Sequence, residues 1–213
     1  MSSNPPEFDR LIDRCRDGNE QAWSELFQQF GEDVTRWAVR LDYLIREQDI
    51  QDLLVEVFSK VHRTLPRYRA EECPFRVWLY EQTAGVTIDN IRKRMADKRT
   101  PPGEVISIHS GESEQEPGVD PPDPTAAPDE IAAQKDAHRL LFDALDSLGP
   151  SESRCRKLIG LVYFGGFTYQ EVAQALQIKA KTVSSALSKC LAELRGIAAR
   201  IFSRGGLWKP PPG

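Results

Sequence analysis

Three groups of side chains have the types and spacing to do chemistry. In "QDIQDLLVEVFSKVHRTL", Asp49, Asp52 and Glu56 fall at i, i+3 and i+7, which puts three carboxylates on one helical face. Such a trio could hold a cation or act as acid and base, but no histidine accompanies it and a regular helix offers no cage. A solvated face and a docking face for a basic partner remain as its readings. The second group mixes rings and cations, "RYRAEECPFRVWLY" followed by "RKRMADKR". Bases stack on rings while phosphates meet Arg and Lys, so this mixture suits single-stranded nucleic acid. Arg67, Tyr68 and Arg69 sit between Pro66 and Pro74 and are expected to be exposed, with Arg76, Arg92, Lys93 and Arg94 following. Helical spacing also lets Phe75, Trp78 and Leu79 be core, and Trp78 is placed there.

The third group is "FTYQEVAQALQIKAKTVSSAL". Thr168 with Glu171 three positions on is a capping box that opens a short helix. Leu176 and Ile178 mark a turn, and a second amphipathic helix follows. Its outward candidates are Lys181, Thr182, Ser184, Ser185, Ser188 and Lys189, with Thr168 and Lys179 at the approach. Lysines hold phosphates, and serine or threonine can bond to bases of either type in a major groove. A plain helical hairpin with a polar surface would look alike. Four cysteines, Cys15, Cys73, Cys155 and Cys190, lie far apart with no CxxC pair. With three histidines in the chain, no metal-site spacing is present. Free thiols in a reducing compartment are the expectation.

These groups need helices to position them. In "NEQAWSELFQQFGEDVTRWAVRL" the large apolar residues Trp23, Phe27, Phe30, Val34, Trp37 and Leu41 draw one helical stripe. Ile50, Leu53, Leu54, Val57, Phe58 and Val61 draw a second, opposite the carboxylates. "FRVWLYEQTAGVTIDNIRKRM" continues as a third helix after the proline-bounded loop. "DAHRLLFDALDSL" stops at Gly149 and Pro150, and "SESRCRKLIGLVYFGG" stops at Gly165 and Gly166. In the last helix Val183, Leu187, Leu191 and Leu194 face inward. No segment reads as a strand, so the fold class is all-α.

The chain has 213 residues, enough for two small domains. Between the helical parts, "RTPPGEVISIHSGESEQEPGVDPPDPTAAPDE" holds seven of the fifteen prolines. It lacks the large apolar residues needed to offset ordering entropy, which predicts an extended linker. The expected organisation is a helical domain over 7–99, an acidic Pro-rich linker over 100–136, a helix-turn-helix domain over 137–204 and a flexible tail over 205–213. Formal net charge is -4, but it divides unevenly: -2 over residues 1–99, -8 over 100–136 and +5 over 137–204. The acidity therefore lies outside the helix-turn-helix and does not argue against nucleic-acid binding there. No apolar run approaches the roughly 18–20 residues of a membrane span. The N-terminus is too polar for a secretory signal, so a cytoplasmic location is expected.

The order of helical domain, acidic linker and helix-turn-helix domain resembles the extracytoplasmic-function (ECF) sigma factors, bacterial initiation factors of the sigma-70 superfamily that direct RNA polymerase to promoters. "DLLVEVFSKV" resembles their region 2.2. "PFRVWLYEQTAGVTIDNIRKR" resembles regions 2.3 and 2.4, including Phe-Arg-x-Trp-Leu and the later Asp89-x-x-Arg92. "ALDSLGPSESRCRKLIGLVYFGGFTYQEVAQAL" resembles region 4.1 and early 4.2.

The resemblance implies a non-enzymatic protein without cofactor or metal. It implies docking of Asp49, Asp52, Leu53 and Glu56 on the β′ clamp helices of core RNA polymerase, and a region 4 contact with the β flap. It implies that Arg67, Tyr68, Arg69, Arg76, Arg92, Lys93 and Arg94 meet the single-stranded −10 element. Thr168, Lys179, Lys181, Thr182, Ser184, Ser185, Ser188 and Lys189 would meet the −35 duplex. An anti-sigma factor is a further partner of many such proteins, and the linker would thread the polymerase cleft. Five positions depart from the pattern: Gln177 stands for the usual turn glycine, Gly85 for the usual asparagine, and Ser184, Ala186 and Ser188 for basic or histidine side chains. Two rival functions follow from the same residues. A stand-alone helix-turn-helix regulator predicts tight duplex binding without polymerase. An interaction module that binds polymerase predicts no reading of DNA.

Overall fold

The structure, a computed structural model, describes residues 5–96, 128–149 and 153–205. The chain divides into two compact units, Met1–Thr125 and Ala126–Gly213. Among the described residues there are helices and turns but no strand, as the periodicities require.

The first unit contains α1 (Pro6–Arg16), α2 (Glu20–Leu41), α3 (Glu47–Thr64) and α4 (Phe75–Ala96). Helix α1 was not anticipated from periodicity. Proline at its first position, acids in its first turn and arginines in its last turn all favour it. Asn19 caps α2 by accepting from the Ala22 amide at 2.9 Å. The buried stripe of α2 is Ala22, Leu26, Phe30, Val34, Trp37, Ala38 and Leu41. This corrects the expected stripe at its start, because Phe27 is exposed and Leu26 takes the inward position. Helix α3 buries Ile50, Leu53, Leu54, Val57 and Val61. Phe8, Phe30, Tyr68, Phe75 and Trp78 form a ring cluster with centroids 5.0–5.6 Å apart. Pairs at such separations add roughly 0.5–1.5 kcal/mol each beyond the area they bury.

The second unit contains α5 (Pro128–Asp146), α6 (Arg154–Ile159), α7 (Tyr169–Ala175) and α8 (Ala180–Gly205), with a π-helical turn at Gly160–Phe164. Residues 97–127, most of the expected linker, lie outside the described residues, as do 206–213 of the expected tail. Residues 128–136, assigned above to the linker, belong to α5. Pro128 occupies the first helical position, where its missing amide costs nothing. Val183, Leu187, Cys190 and Ile197 of α8 are buried against the shorter helices.

A disulfide joins Cys155 of α6 to Cys190 of α8, with Cα atoms 5.1 Å apart. The expectation of four free thiols is therefore corrected to two, Cys15 and Cys73. The partners are 35 residues apart in sequence, and the packing of α6 on α8 brings them together. Pairing of that kind leaves no spacing signature.

Candidate nucleic-acid interface

In the second unit the helix-turn-helix is complete. Thr168 Oγ1 accepts from the Glu171 amide at 3.3 Å, and Glu171 Oε2 accepts from the Thr168 amide at 2.8 Å. The expected capping box is thus formed. The turn closes without glycine because Gln177 adopts φ 52°, a left-handed conformation that costs a non-glycine residue roughly 1 kcal/mol or more. Beyond it, Val183 and Leu187 point inward while Lys179, Lys181, Ser184, Ser185, Ser188 and Lys189 are exposed and Thr182 is half-buried. The three lysines have no acidic partner among the described residues. Two of the serines are already committed: Ser185 Oγ donates to the Thr182 carbonyl at 3.1 Å, and Ser188 Oγ donates to the Ser184 carbonyl at 3.0 Å. A hydroxyl that donates its proton to its own helix presents lone pairs outward, so in this rotamer it can serve an outside partner only as an acceptor.

In the first unit, the loop after α3 begins with a 3₁₀ turn, Leu65–Arg67. Arg67 and Arg69 are exposed, as expected, with no acidic partner among the described residues. Tyr68 is the correction. It is only 4% exposed, and its ring lies 5.0 Å from Trp78 and 5.3 Å from Phe75. Its hydroxyl donates to the Cys73 carbonyl at 2.9 Å, and Arg16 of α1 donates to its carbonyl at 2.6 Å. Tyr68 therefore anchors the loop that presents the two arginines. Trp78 is half-buried in the same ring cluster.

The remaining basic candidates have internal partners. Arg76 donates to both Asp33 oxygens at 2.8 and 3.2 Å and lies 5.6 Å over the Trp37 ring. Arg94 is paired with Asp42, whose side chain is 2% exposed. Arg92 reaches Asp89 at 3.4 Å, so the Asp-x-x-Arg motif forms an ion pair one turn apart. Lys93 reaches Glu56 at 3.9 Å. Gly85 lies where α4 meets α3: a Cβ there would stand 2.7 Å from the Lys60 Nζ, so the ammonium takes that space.

The three carboxylates of α3 do not share one state. Asp49 accepts from Arg46 through both oxygens at 2.7 and 3.1 Å, a pairing that raises the Arg46 pKa. Glu56 accepts from Asn90 at 2.9 Å. Asp52 is exposed and has no ion pair among the described residues. Leu53 lies on the buried apolar stripe, as its spacing requires, and at 3% exposure it is core, which corrects its implied place among the docking side chains. An apolar surface residue was missed: Val55, 66% exposed, falls on the same face as Asp52, Glu56 and Ser59. Its signal was a hydrophobe off the buried stripe. Phe58, one turn on, packs at 4.8 Å on exposed Phe27 of α2. Among the described residues no His, Cys, Asp and Glu cluster is placed to hold a metal, and no helix is long and apolar enough to cross a membrane.

The family model described as "ECF sigma factor" matches residues 5–195. The chain is 28% identical over 179 residues to the ECF RNA polymerase sigma factor SigE of Mycolicibacterium smegmatis, covering 84% of this chain and 62% of that relative. It therefore spans about three fifths of that relative's length. It is 24% identical to the ECF RNA polymerase sigma-E factor of Haemophilus influenzae, covering 82% of this chain and 86% of that one. A structure of CnrH in complex with the cytosolic domain of CnrY aligns at a TM-score of 0.45 and 20% identity, covering 89% of this chain and 96% of that chain. With a family match running from α1 into α8, over helices whose caps, turn and core form as described, the chain belongs to the ECF sigma factors.

Proposed function

We propose that this ECF sigma factor binds core RNA polymerase through α3 and directs it to promoters with two separate DNA contacts. The observation that carries the proposal is the open polar face of α8. Lys179, Lys181 and Lys189 are exposed there with no acidic partner among the described residues, while Val183, Leu187 and Cys190 fix the helix from behind. Three lysines and short hydroxyls suit the phosphates and base edges of a −35 duplex. Arg67 and Arg69, held out by the buried Tyr68, suit the single-stranded −10 element, with Arg92 and Lys93 nearer the end of α4. Asp52 and Glu56 with Val55 between them suit a basic partner, the β′ clamp helices, and region 4 would meet the β flap. An anti-sigma factor is a further partner consistent with the family.

Few base-reading side chains are present, so each DNA contact alone is weak and salt-dependent. Joining both on one polymerase raises the effective affinity without new contacts. The test is in vitro transcription with core polymerase and this protein on a genomic promoter library. Promoter-specific transcripts dependent on the protein are expected. Their absence, with polymerase binding intact, would favour an interaction module that does not read DNA.

A further inference from the structure

The structure assigns a redox modification site to the helix-turn-helix unit: the dithiol of Cys155 and Cys190, oxidised by a peroxide to a cross-link that locks α8 in place. The two residues come from different helices and meet only when α6 packs on α8. Cys190 is 4% exposed and shares the inward stripe of Val183 and Leu187. Its sequence neighbours Ser188 and Lys189 are on the outward face proposed to meet the −35 duplex. A bond at Cys190 therefore fixes the roll of the helix that carries those side chains. Cys155 is half-buried, so a small oxidant reaches it first; Glu193 Oε2 lies 3.7 Å from its sulfur. Arg156, next to it, is pinned to Asp146 at 2.7 Å, so α6 is already tied to α5 and the bond extends that tie to α8.

The chemistry balances in two steps. The Cys155 sulfur attacks the peroxide, the O–O bond breaks, one oxygen leaves as water or alcohol, and a sulfenic acid remains. The Cys190 sulfur then attacks the Cys155 sulfur, giving the disulfide and releasing water. Each sulfur loses one electron and the peroxide gains two. A cellular dithiol reverses the reaction by exchange.

The cross-link closes a loop of 35 residues, which restricts the unfolded chain far more than the folded one. The other two cysteines supply an internal control. Cys15 is buried in the first unit, and its burial raises the thiol pKa to about 11. Cys73 is half-buried there and donates to the Pro74 carbonyl at 3.5 Å. Neither belongs to the second unit.

The test uses the full chain, oxidised with hydrogen peroxide or reduced with dithiothreitol, each reagent then removed. Intact mass should show the loss of two hydrogens on oxidation, and peptide mapping should join Cys155 to Cys190. The thermal transition of the second unit should rise by roughly 10–20 °C on oxidation. The consequence for transcription rests on the −35 proposal above. Transcription with untreated core polymerase from a −35-dependent promoter should be several-fold higher with the oxidised protein. Cys155→Ser and Cys190→Ala should each abolish the shift and the transcriptional difference, while Cys15→Ser/Cys73→Ser should keep both. Dithiol after peroxide, or equal melting of both forms, overturns the site. A shift in melting with equal transcription overturns the link to DNA reading only. Absence of promoter-specific transcripts from both forms counts against the −35 proposal and leaves the site to be judged by mass and melting.

Discussion

Arg94 offers the sharpest check, because sequence and structure give it different work. A basic run at the end of α4 suggests phosphate contact, yet its guanidinium is paired with Asp42 at the end of α2. The Asp42 side chain is 2% exposed and the Arg94 side chain 39%. Asp42 Oδ1 has no hydrogen-bond partner among the described residues, so the arginine is the main compensation for a buried carboxylate. Replacing Arg94 with Met leaves that charge stranded. Breaking a buried pair this way costs about 3–5 kcal/mol. The arginine is more than a third exposed, so solvent screening reduces the expectation to roughly 2 kcal/mol. For a unit of this size that is a fall in Tm on the order of 10 °C.

Asp42→Asn should cost less, since no charge is then buried. The double variant Asp42→Asn/Arg94→Met should recover most of the loss, with a coupling of about 1 kcal/mol or more. Thermal unfolding of the full chain and its three variants measures the cycle. Single-stranded −10 DNA binding, titrated against salt, measures the alternative: Arg94→Met should leave the salt slope unchanged, whereas loss of a phosphate contact lowers it by about 0.7. An unchanged Tm with a reduced slope would falsify the structural role and return Arg94 to the DNA interface.

Gln177→Gly should relieve the left-handed φ of 52° and stabilise the second unit by about 0.5–1 kcal/mol, read as a higher denaturant midpoint; a lower midpoint would show that the side chain itself holds the turn. Asp52→Lys should weaken core polymerase binding about tenfold while leaving stability within about 0.5 kcal/mol, because the residue is exposed and has no ion pair among the described residues. Unchanged affinity would remove α3 from the docking surface. Thr168→Ala should lose the cap and about 1 kcal/mol of stability. Thr168→Ser should keep the stability, so any remaining loss of −35 binding isolates a direct contact. At pH 8, iodoacetamide should label Cys73 well before Cys15, whose buried thiol has its pKa raised to about 11; equal rates would mean that α1 opens readily.

Much of this protein is determined by its local sequence. Periods of three and four placed α2, α3 and α8, because a helix repeats its face at that spacing whatever it packs against. The capping box at Thr168 and Glu171 was legible for the same reason: both partners lie within one turn. The strained turn at Gln177 was also foreseeable, since a missing glycine leaves a left-handed position to another residue. Helix α1 was legible too, with Phe8, Leu11, Ile12 and Cys15 at i, i+3, i+4 and i+7, but four apolar residues in a short polar stretch were not assigned. Tertiary packing decided the rest. It turned Tyr68 from an exposed ring into an anchor, because a loop aromatic beside Phe75 and Trp78 gains more by joining their cluster than by facing water. It left Val55 outside although the residue is apolar, because Val55 lies off the side of α3 that meets its neighbours. It gave Arg76 and Arg94 to Asp33 and Asp42, carboxylates 43 and 52 residues away. It also brought Cys155 to Cys190. Local rules fix which residues share a helical face; only the packing of one helix on another fixes which charges, rings and sulfurs meet.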